Sequence, residues 1–514
     1  MPKRRNAERE TRRGPQSRLL ADEVFLASPG PGNGELAAAV CYPHSYRVGM
    51  ASLGYQLVWG MFAAHGAFRA ERFFAGYADR VPAGFVAEPR GLEYGTPLAR
   101  ADVIAFSVYY EPDFLRVCGM LQGGGVRPWA AERGEFDPYV LLGGPAVTAN
   151  PEPLAPFADA VILGDAEESL PRVLEALAGA GGAPRAEVHR LLADVAGVYV
   201  PSLYHPVYGA GGEVRTVVPA AGAPAAAAAS VLADLTPYRG GSWIATPHAE
   251  FGKLALLEPL RGCARRCGFC ETPVISSPVR RRTLASLLAL LEEAAPRVKK
   301  IGLVGAAVAD YDDVEALAAA VLDRRMRLTA SSLALAARGT PALIRAIGAS
   351  GQRSITLAPE AATAAMRTRL GKPLAEGRLE ECLGTAADAG VTRVKLYYII
   401  GIPDETDDDV AAVGAQLAAL NNEFRRLSLE AHVNPLVPKR RTAFADAPLA
   451  AARVYREKLR RIRSLARGAR VAGGSWREAA LQAKLGRGDR ATARWVEWAA
   501  AEKDSRRLPP SVSP

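Results

Sequence analysis

A chain of 514 residues with a mean hydropathy of +0.01 is too long for one core, and it contains no run of eighteen apolar residues that would span a membrane. Its net charge of +10 belongs to the ends: seven Lys/Arg face two Glu over residues 1–20, and sixteen face six Asp/Glu over 451–514, which leaves the middle net acidic. No aromatic-and-basic interleaving accompanies these ends, so solvated charge is favoured there over a nucleic-acid surface. No apolar signal core follows Met1–Arg5, so a cytoplasmic protein is expected.

In chain order, residues 1–20 read as a disordered basic tail. Leu36–Cys41 reads as a strand, Tyr42–Met50 as a loop and Leu53–His65 as a helix. Further strands are expected at Val103–Tyr109, Tyr139–Gly144 and Ala160–Gly164, with a helix at Glu167–Ala178. Alternating strands and helices over 21–180 predict a doubly wound parallel sheet. Ligands of such sheets bind beyond the carboxyl ends of the strands, beside Cys41, Val108, Gly144 and Gly164. Residues 181–250, rich in Gly, Ala and Pro, read as a linker with short strands such as Gly197–Val200.

From 251 to 450 the alternation restarts. Strands are expected at 254–258, 300–304, 327–332, 353–358, 393–400 and 428–433, with helices at about 283–296, 312–324, 340–350, 376–390 and 407–421. Six such units predict a partial (β/α)6 barrel with its site at the carboxyl ends of the strands. Residues 451–514 read as a basic helical extension.

The first of those strands leads into Arg261-Gly262-Cys263-Ala264-Arg265-Arg266-Cys267-Gly268-Phe269-Cys270, with Pro273 and Pro278 downstream. Three of the six cysteines fall here, spaced C-x3-C-x2-C. Three thiolates on one loop can wrap one face of an iron–sulfur cube and leave one iron open. Structural zinc asks for four ligands in paired spacing, and no fourth Cys or His lies near. Cys41, Cys118 and Cys382 are scattered and read as buried thiols.

This motif, its aromatic residue before the last cysteine and its place on the first barrel strand together resemble the radical SAM superfamily. The resemblance implies a [4Fe–4S] cluster on Cys263, Cys267 and Cys270, with S-adenosylmethionine (SAM) on the open iron and a 5′-deoxyadenosyl radical made by one-electron cleavage. It also implies a low-potential electron donor such as flavodoxin or ferredoxin. Phe269 would pack near the adenine. Gly302 and Gly305 lie where family members carry a glycine-rich segment, although the usual Gly-Gly-Glu form is absent. Glu360, ending the fourth strand, looks like a polar SAM contact; otherwise it pairs with Arg367 or Arg369. Lys395–Glu405, with Gly401 and Pro403, resembles the adenine-contacting segment. Ser331 ends the third strand as a further SAM candidate or a turn cap.

In the first half, Gly143-Gly144-Pro145, Asn150–Pro153, Asp159 and Gly164–Glu167 resemble the cobalamin-binding domain that precedes many radical SAM domains. His44 and Tyr46 lie in its first loop, and Gly143, Gly144, Gly164 and Glu167 are further cofactor candidates. The Asp-x-His-x-x-Gly loop that supplies cobalt with a histidine in many such domains is missing. Either cobalamin binds without a protein ligand, or the domain has lost it. The resemblance thus implies methyl transfer through cobalamin to an unactivated carbon. The alternatives are a cobalamin-independent rearrangement, cyclisation or RNA modification, and a cluster-bearing sensor or scaffold. The substrate is not legible.

Overall fold

The apolar runs of the first half become the core of a six-stranded sheet in this computed structural model, which describes residues 15–30, 32–78, 81, 84–210 and 214–502. The strands are β1 (Leu36–Ser45), β2 (Phe68–Gly76), β3 (Val103–Ser107), β4 (Tyr139–Gly143), β5 (Ala160–Ile162) and β6 (Val198–Tyr199). Their order is β2-β1-β3-β4-β5-β6, parallel except for the antiparallel β5–β6 pair. β3 is buried along its whole length, as a strand covered on both faces should be. The switch point lies between β1 and β3, so the ligand crevice of this fold type opens beside the ends of those two strands. Helices α1 (Leu53–Ala64), α2 (Phe114–Gly123), α3 (Ala166–Gly179) and α4 (Arg185–Ala193) belong to this unit. Ser52 caps α1 by accepting from the Tyr55 N–H.

Four expectations need correction in this unit. β1 runs on to Ser45, and Tyr46–Gly49 is a helical turn, so most of Tyr42–Met50 is not a loop. Phe68–Gly76 is an unforeseen edge strand, hidden because Arg69, Glu71 and Arg72 interrupt its apolar pattern. Pro15–Ala21 is helical with Leu19 buried in the core, while residues 1–14 of the expected tail lie outside the described residues. Residues 185–193, read as linker, form α4, while the short strand expected at Gly197–Val200 is found as β6 and joins the sheet. Asp159 pins them: its carboxylate accepts from Arg185 Nε at 2.9 Å, Arg133 Nη2 at 3.0 Å and the Val140 N–H at 2.8 Å, and meets His189 Nε2 at 3.0 Å. Burial alone would raise the pKa of Asp159, but His189, Arg133 and Arg185 hold it well below the usual carboxylate range.

The second unit comprises residues 233–241 and 254–487 among those described. It contains β7 (Ala255–Leu257), β8 (Lys300–Leu303), β9 (Arg327–Ala330), β10 (Ser354–Glu360), β11 (Arg393–Ile400), β12 (Ser428–Pro435) and β13 (Arg470–Gly473). All neighbours run parallel, as β7-β8-β9 and β10-β11-β12-β13, and a single bridge, Leu333 to Leu357, links the two ladders. The helices between them are α5 (Leu284–Ala294), α6 (Val314–Asp323), α7 (Thr340–Ala349), α8 (Arg378–Asp388) and α9 (Asp407–Glu423). Thr406 and Asp409 form a reciprocal capping box at the start of α9. Along β11 the residues Val394, Leu396, Tyr398 and Ile400 are buried, and Tyr398 Oη donates to Gln416 of α9 at 2.9 Å. The fold is therefore an open parallel arc. It has seven strands where six were expected, because the short β13 lies inside the stretch read as helical extension.

Candidate active site

β7 leads, through the short antiparallel pairing of Leu260–Arg261 with Arg280–Arg281, into the cysteine loop. Arg261 forks onto Glu258, Nε to Oε1 at 3.0 Å and Nη2 to Oε2 at 2.9 Å, and fixes the entry to the loop. Three further contacts tie the loop to the segments that follow other strands. Arg265 Nη2 donates to Asp310, beyond β8, at 2.7 Å. The Gly268 N–H donates to Leu370 O, beyond β10, at 2.8 Å. Lys439 Nζ, beyond β12, pairs with Glu271 at 3.0 Å. Phe269 packs against a rim cluster of Ala361, Met366, Leu370, Ile402, Leu436 and Phe444, all from segments that follow β10, β11 and β12.

The loop thus presents three free, half-buried thiols at the carboxyl edge of the arc. Burial raises the Cys263 thiol, with hydrogen bonding to the Arg265 backbone opposing it. Among the described residues no three His, Cys, Asp or Glu side chains converge on one ion position.

The structure distributes the other expected SAM residues unevenly. Glu360 stands at the rim, at the end of a bulged strand, with a left-handed φ of 65° that a glutamate rarely adopts. Its partner is Lys372, at 2.8 Å, and neither Arg367 nor Arg369. Arg367 donates instead to Ala361 O and Ala362 O, and Arg369 pairs with Asp404. Gly401 closes the turn after β11: its N–H donates to Glu405 Oε2 at 2.9 Å, and Lys458 holds the same oxygen at 2.6 Å. Burial raises the Glu405 carboxyl despite those partners. Pro403 is half-buried in that turn. Gly305 and the exposed Ser331 meet at the rim, with Ser331 Oγ 3.5 Å from Gly305 O.

Two expected residues lie elsewhere. Gly302 is buried within β8, where an added Cβ would come 3.0 Å from a Leu256 methyl, so it serves sheet packing. Lys395 is exposed on β11 five residues before its end, about 16 Å short of the rim at ~3.3 Å per residue. Sequence reasoning missed Lys372 and the Arg265–Asp310 fork. The turn signal Gly371-Lys372-Pro373 marks the first, and nothing in the sequence marks the second.

In the first unit His44 ends β1, at the switch point. Burial and the nearby Arg116 lower its pKa to about 4, so the ring is neutral at pH 7. The Ser45 N–H donates to His44 Nδ1 at 2.8 Å. Tyr46 is committed to the core: it is 1% exposed and donates to Glu23 at 2.7 Å. It also lines a cavity of about 410 Å³ with Tyr77, Arg47 and His248. Glu167 is buried in the first turn of α3, where the helix dipole favours an acid. Gly143 ends β4, and its carbonyl accepts from the Val108 N–H at 2.8 Å. At Gly144, φ 107°, an added Cβ would lie 2.5 Å from Val108 O. At Gly164, φ 89°, it would overlap the Ser230 carbonyl, whose chain bridges to this turn. The added-Cβ positions of both glycines are thus taken by the chain's own backbone. Gly164→Ala is expected to destabilise the cofactor-free protein by about 2 kcal/mol or more, from the positive φ and the displaced Ser230. Thermal or urea unfolding without any cofactor checks this; unchanged unfolding would return Gly164 to the ligand-binding candidates.

Residues 54–201 match the family model described as radical SAM proteins, N-terminal, and residues 257–416 match that of the radical SAM superfamily. An uncharacterized protein of Methanocaldococcus jannaschii is 26% identical over 408 residues, which are 79% of this chain and 78% of that one. The fold is similar to that of the radical S-adenosylmethionine methyltransferase TsrM from Kitasatospora setae. The TsrM structure with cobalamin and a [4Fe–4S] cluster bound aligns with a TM-score of 0.55 and 15% identity, over 91% of this chain and 100% of that one. The structure with tryptophan substrate and a SAM analogue gives 0.51 and 14%, over 77% and 72%.

Proposed function

From a chain that is a radical SAM protein by both of its matched domains, we propose an enzyme in which Cys263, Cys267 and Cys270 hold three irons of a [4Fe–4S] cluster and SAM occupies the fourth. The observation that carries this is the three-thiolate loop tied to the segments beyond β8, β10 and β12. Such a cluster, once reduced, supplies the electron that cleaves SAM to a 5′-deoxyadenosyl radical. The chain's own residues do the rest. Arg261 fixes the entry to the loop and Arg265 its middle, Phe269 and its rim cluster keep water from one side, and Glu360 with Lys372 forms an ion pair next to the segment that meets the loop at Gly268. A reductant is required, and a flavodoxin or ferredoxin is the class of partner that fits. No helix among the described residues is long and apolar enough to cross a membrane.

The finer reading is cobalamin-dependent methyl transfer to an unactivated carbon. Its support is the likeness of fold to TsrM over nearly all of both chains. The Asp-x-His-x-x-Gly loop is missing from the sequence, so cobalamin would be held without a histidine from that motif. The same missing loop favours the second reading, a radical SAM enzyme that works without cobalamin.

Anaerobic reconstitution with iron and sulfide, with and without added cobalamin, separates these. Dithionite and SAM should yield 5′-deoxyadenosine by mass spectrometry. Retention of cobalamin through gel filtration, with S-adenosylhomocysteine formed beside the deoxyadenosine, supports methyl transfer. Deoxyadenosine alone supports the second reading. A loaded cluster that cleaves no SAM would sink both and leave a sensor or scaffold.

A further inference from the structure

The segment Leu370-Gly371-Lys372 crosses the cysteine loop as a strap. Leu370 accepts the Gly268 N–H, between Cys267 and Cys270. Gly371 is left-handed, φ 66°, and an added Cβ would come 2.5 Å from Arg266 O, so only glycine lets the two backbones lie this close. The turn is closed by the Lys372 N–H, which donates to Arg367 O at 2.8 Å. From it the Lys372 ammonium reaches Glu360 at 2.8 Å, with side chains only 17% and 11% exposed. Glu360 in turn is fixed by its bulged, left-handed backbone, a conformation that persists where the surroundings over-determine it. The strap thus meets the loop on both sides of Cys267, at Arg266 and at Gly268, and the Lys372–Glu360 pair sits where the strap leaves it.

Reduction of a cluster adds one negative charge. A fixed ammonium beside one ligand sulfur favours that charge, a buried carboxylate opposes it, and low solvent exposure strengthens both effects. We propose that Lys372, oriented by Glu360, is a positioning residue that sets how easily the cluster on Cys263, Cys267 and Cys270 is reduced. This rests on the radical SAM reading of those thiolates. No bond forms or breaks in the step; one electron passes from the external reductant to the cluster.

The test is a redox titration followed by electron paramagnetic resonance on the full-length, anaerobically reconstituted protein, without and with SAM, at matched iron and sulfide content. Lys372→Met should move the midpoint to more negative potential, because a positive charge is lost and Glu360 is left uncompensated. Glu360→Gln should move it the other way. The double variant should return toward wild type, and Lys372→Arg should stay near it. Unmoved midpoints, or shifts of the same sign in both single variants, would overturn the proposal, since a merely structural disturbance has no reason to respect charge. If Lys372→Met fails to load, the sign of the Glu360→Gln shift decides. A wild-type protein that assembles no [4Fe–4S] cluster overturns the functional reading as well. One that assembles it with unmoved midpoints in the variants overturns this inference alone.

Discussion

Replacing Cys263, Cys267 or Cys270 by alanine is expected to abolish 5′-deoxyadenosine formation and to remove most of the bound iron and acid-labile sulfide. Each thiolate would hold a different iron, so none can stand in for another. The other cysteines offer no substitute, because Cys41, Cys118 and Cys382 are buried elsewhere. The loss should exceed the roughly 10–100-fold that follows when a residue merely supporting a metal ligand is removed. Cys118→Ala is the control. Its thiol lies within α2 and burial pushes it up, as for an inert core thiol. That variant should keep full iron content, even if somewhat less stable. Iron content near wild type in all three loop variants would defeat the assignment.

The second half of the fold was legible because its signals are local. β11 is expected at 393–400 and found there, since its apolar run is bounded by turn residues, and α7 is expected at 340–350 and ends at Ala349. The cysteine loop was legible for the same reason, as the spacing is itself the chemistry. What escaped depends on distant partners. Phe68–Gly76 carries Arg72, which no pattern places in a core strand until Glu23 and Glu93 are seen to neutralise it. Residues 185–193 look like linker until Asp159 collects Arg133, Arg185 and His189. The partner of Glu360 turned on backbone geometry: the left-handed residue and the turn at Gly371 aim the carboxylate at Lys372, while Arg367 is spent on carbonyls. Lys395 was misplaced because a motif segment names a stretch, whereas only the register with Thr356 and Glu430 tells which of its residues reach the rim.

Arg72→Met should destabilise the first unit by about 3–5 kcal/mol, the range for removing one partner of a buried ion pair. The Arg72 side chain is 1% exposed. It grips Glu23 through both terminal nitrogens at 2.7 Å and Glu93 through Nε at 2.6 Å, and its own N–H donates to Glu93 at 2.8 Å. Its guanidinium carbon also lies 5.2 Å from the Trp59 ring centroid. Methionine fills much of the volume, so the penalty comes mainly from charge. Glu23, with 0% of its side chain exposed, and Glu93 would face each other uncompensated. Burial already raises the Glu93 carboxyl even with Arg72 beside it, and the variant should raise it further. A carboxyl whose folded pKa lies above its unfolded value gains stability as pH falls and loses it as pH rises through the folded pKa. The gap between variant and wild type should therefore be widest near pH 8 and narrow toward pH 5. Urea unfolding at the two pH values reads this directly. The triple variant Arg72→Met, Glu23→Gln, Glu93→Gln should recover much of the loss, because neutral partners no longer repel. A gap independent of pH, with no recovery in the triple variant, would mean that Arg72 acts through packing and not through charge.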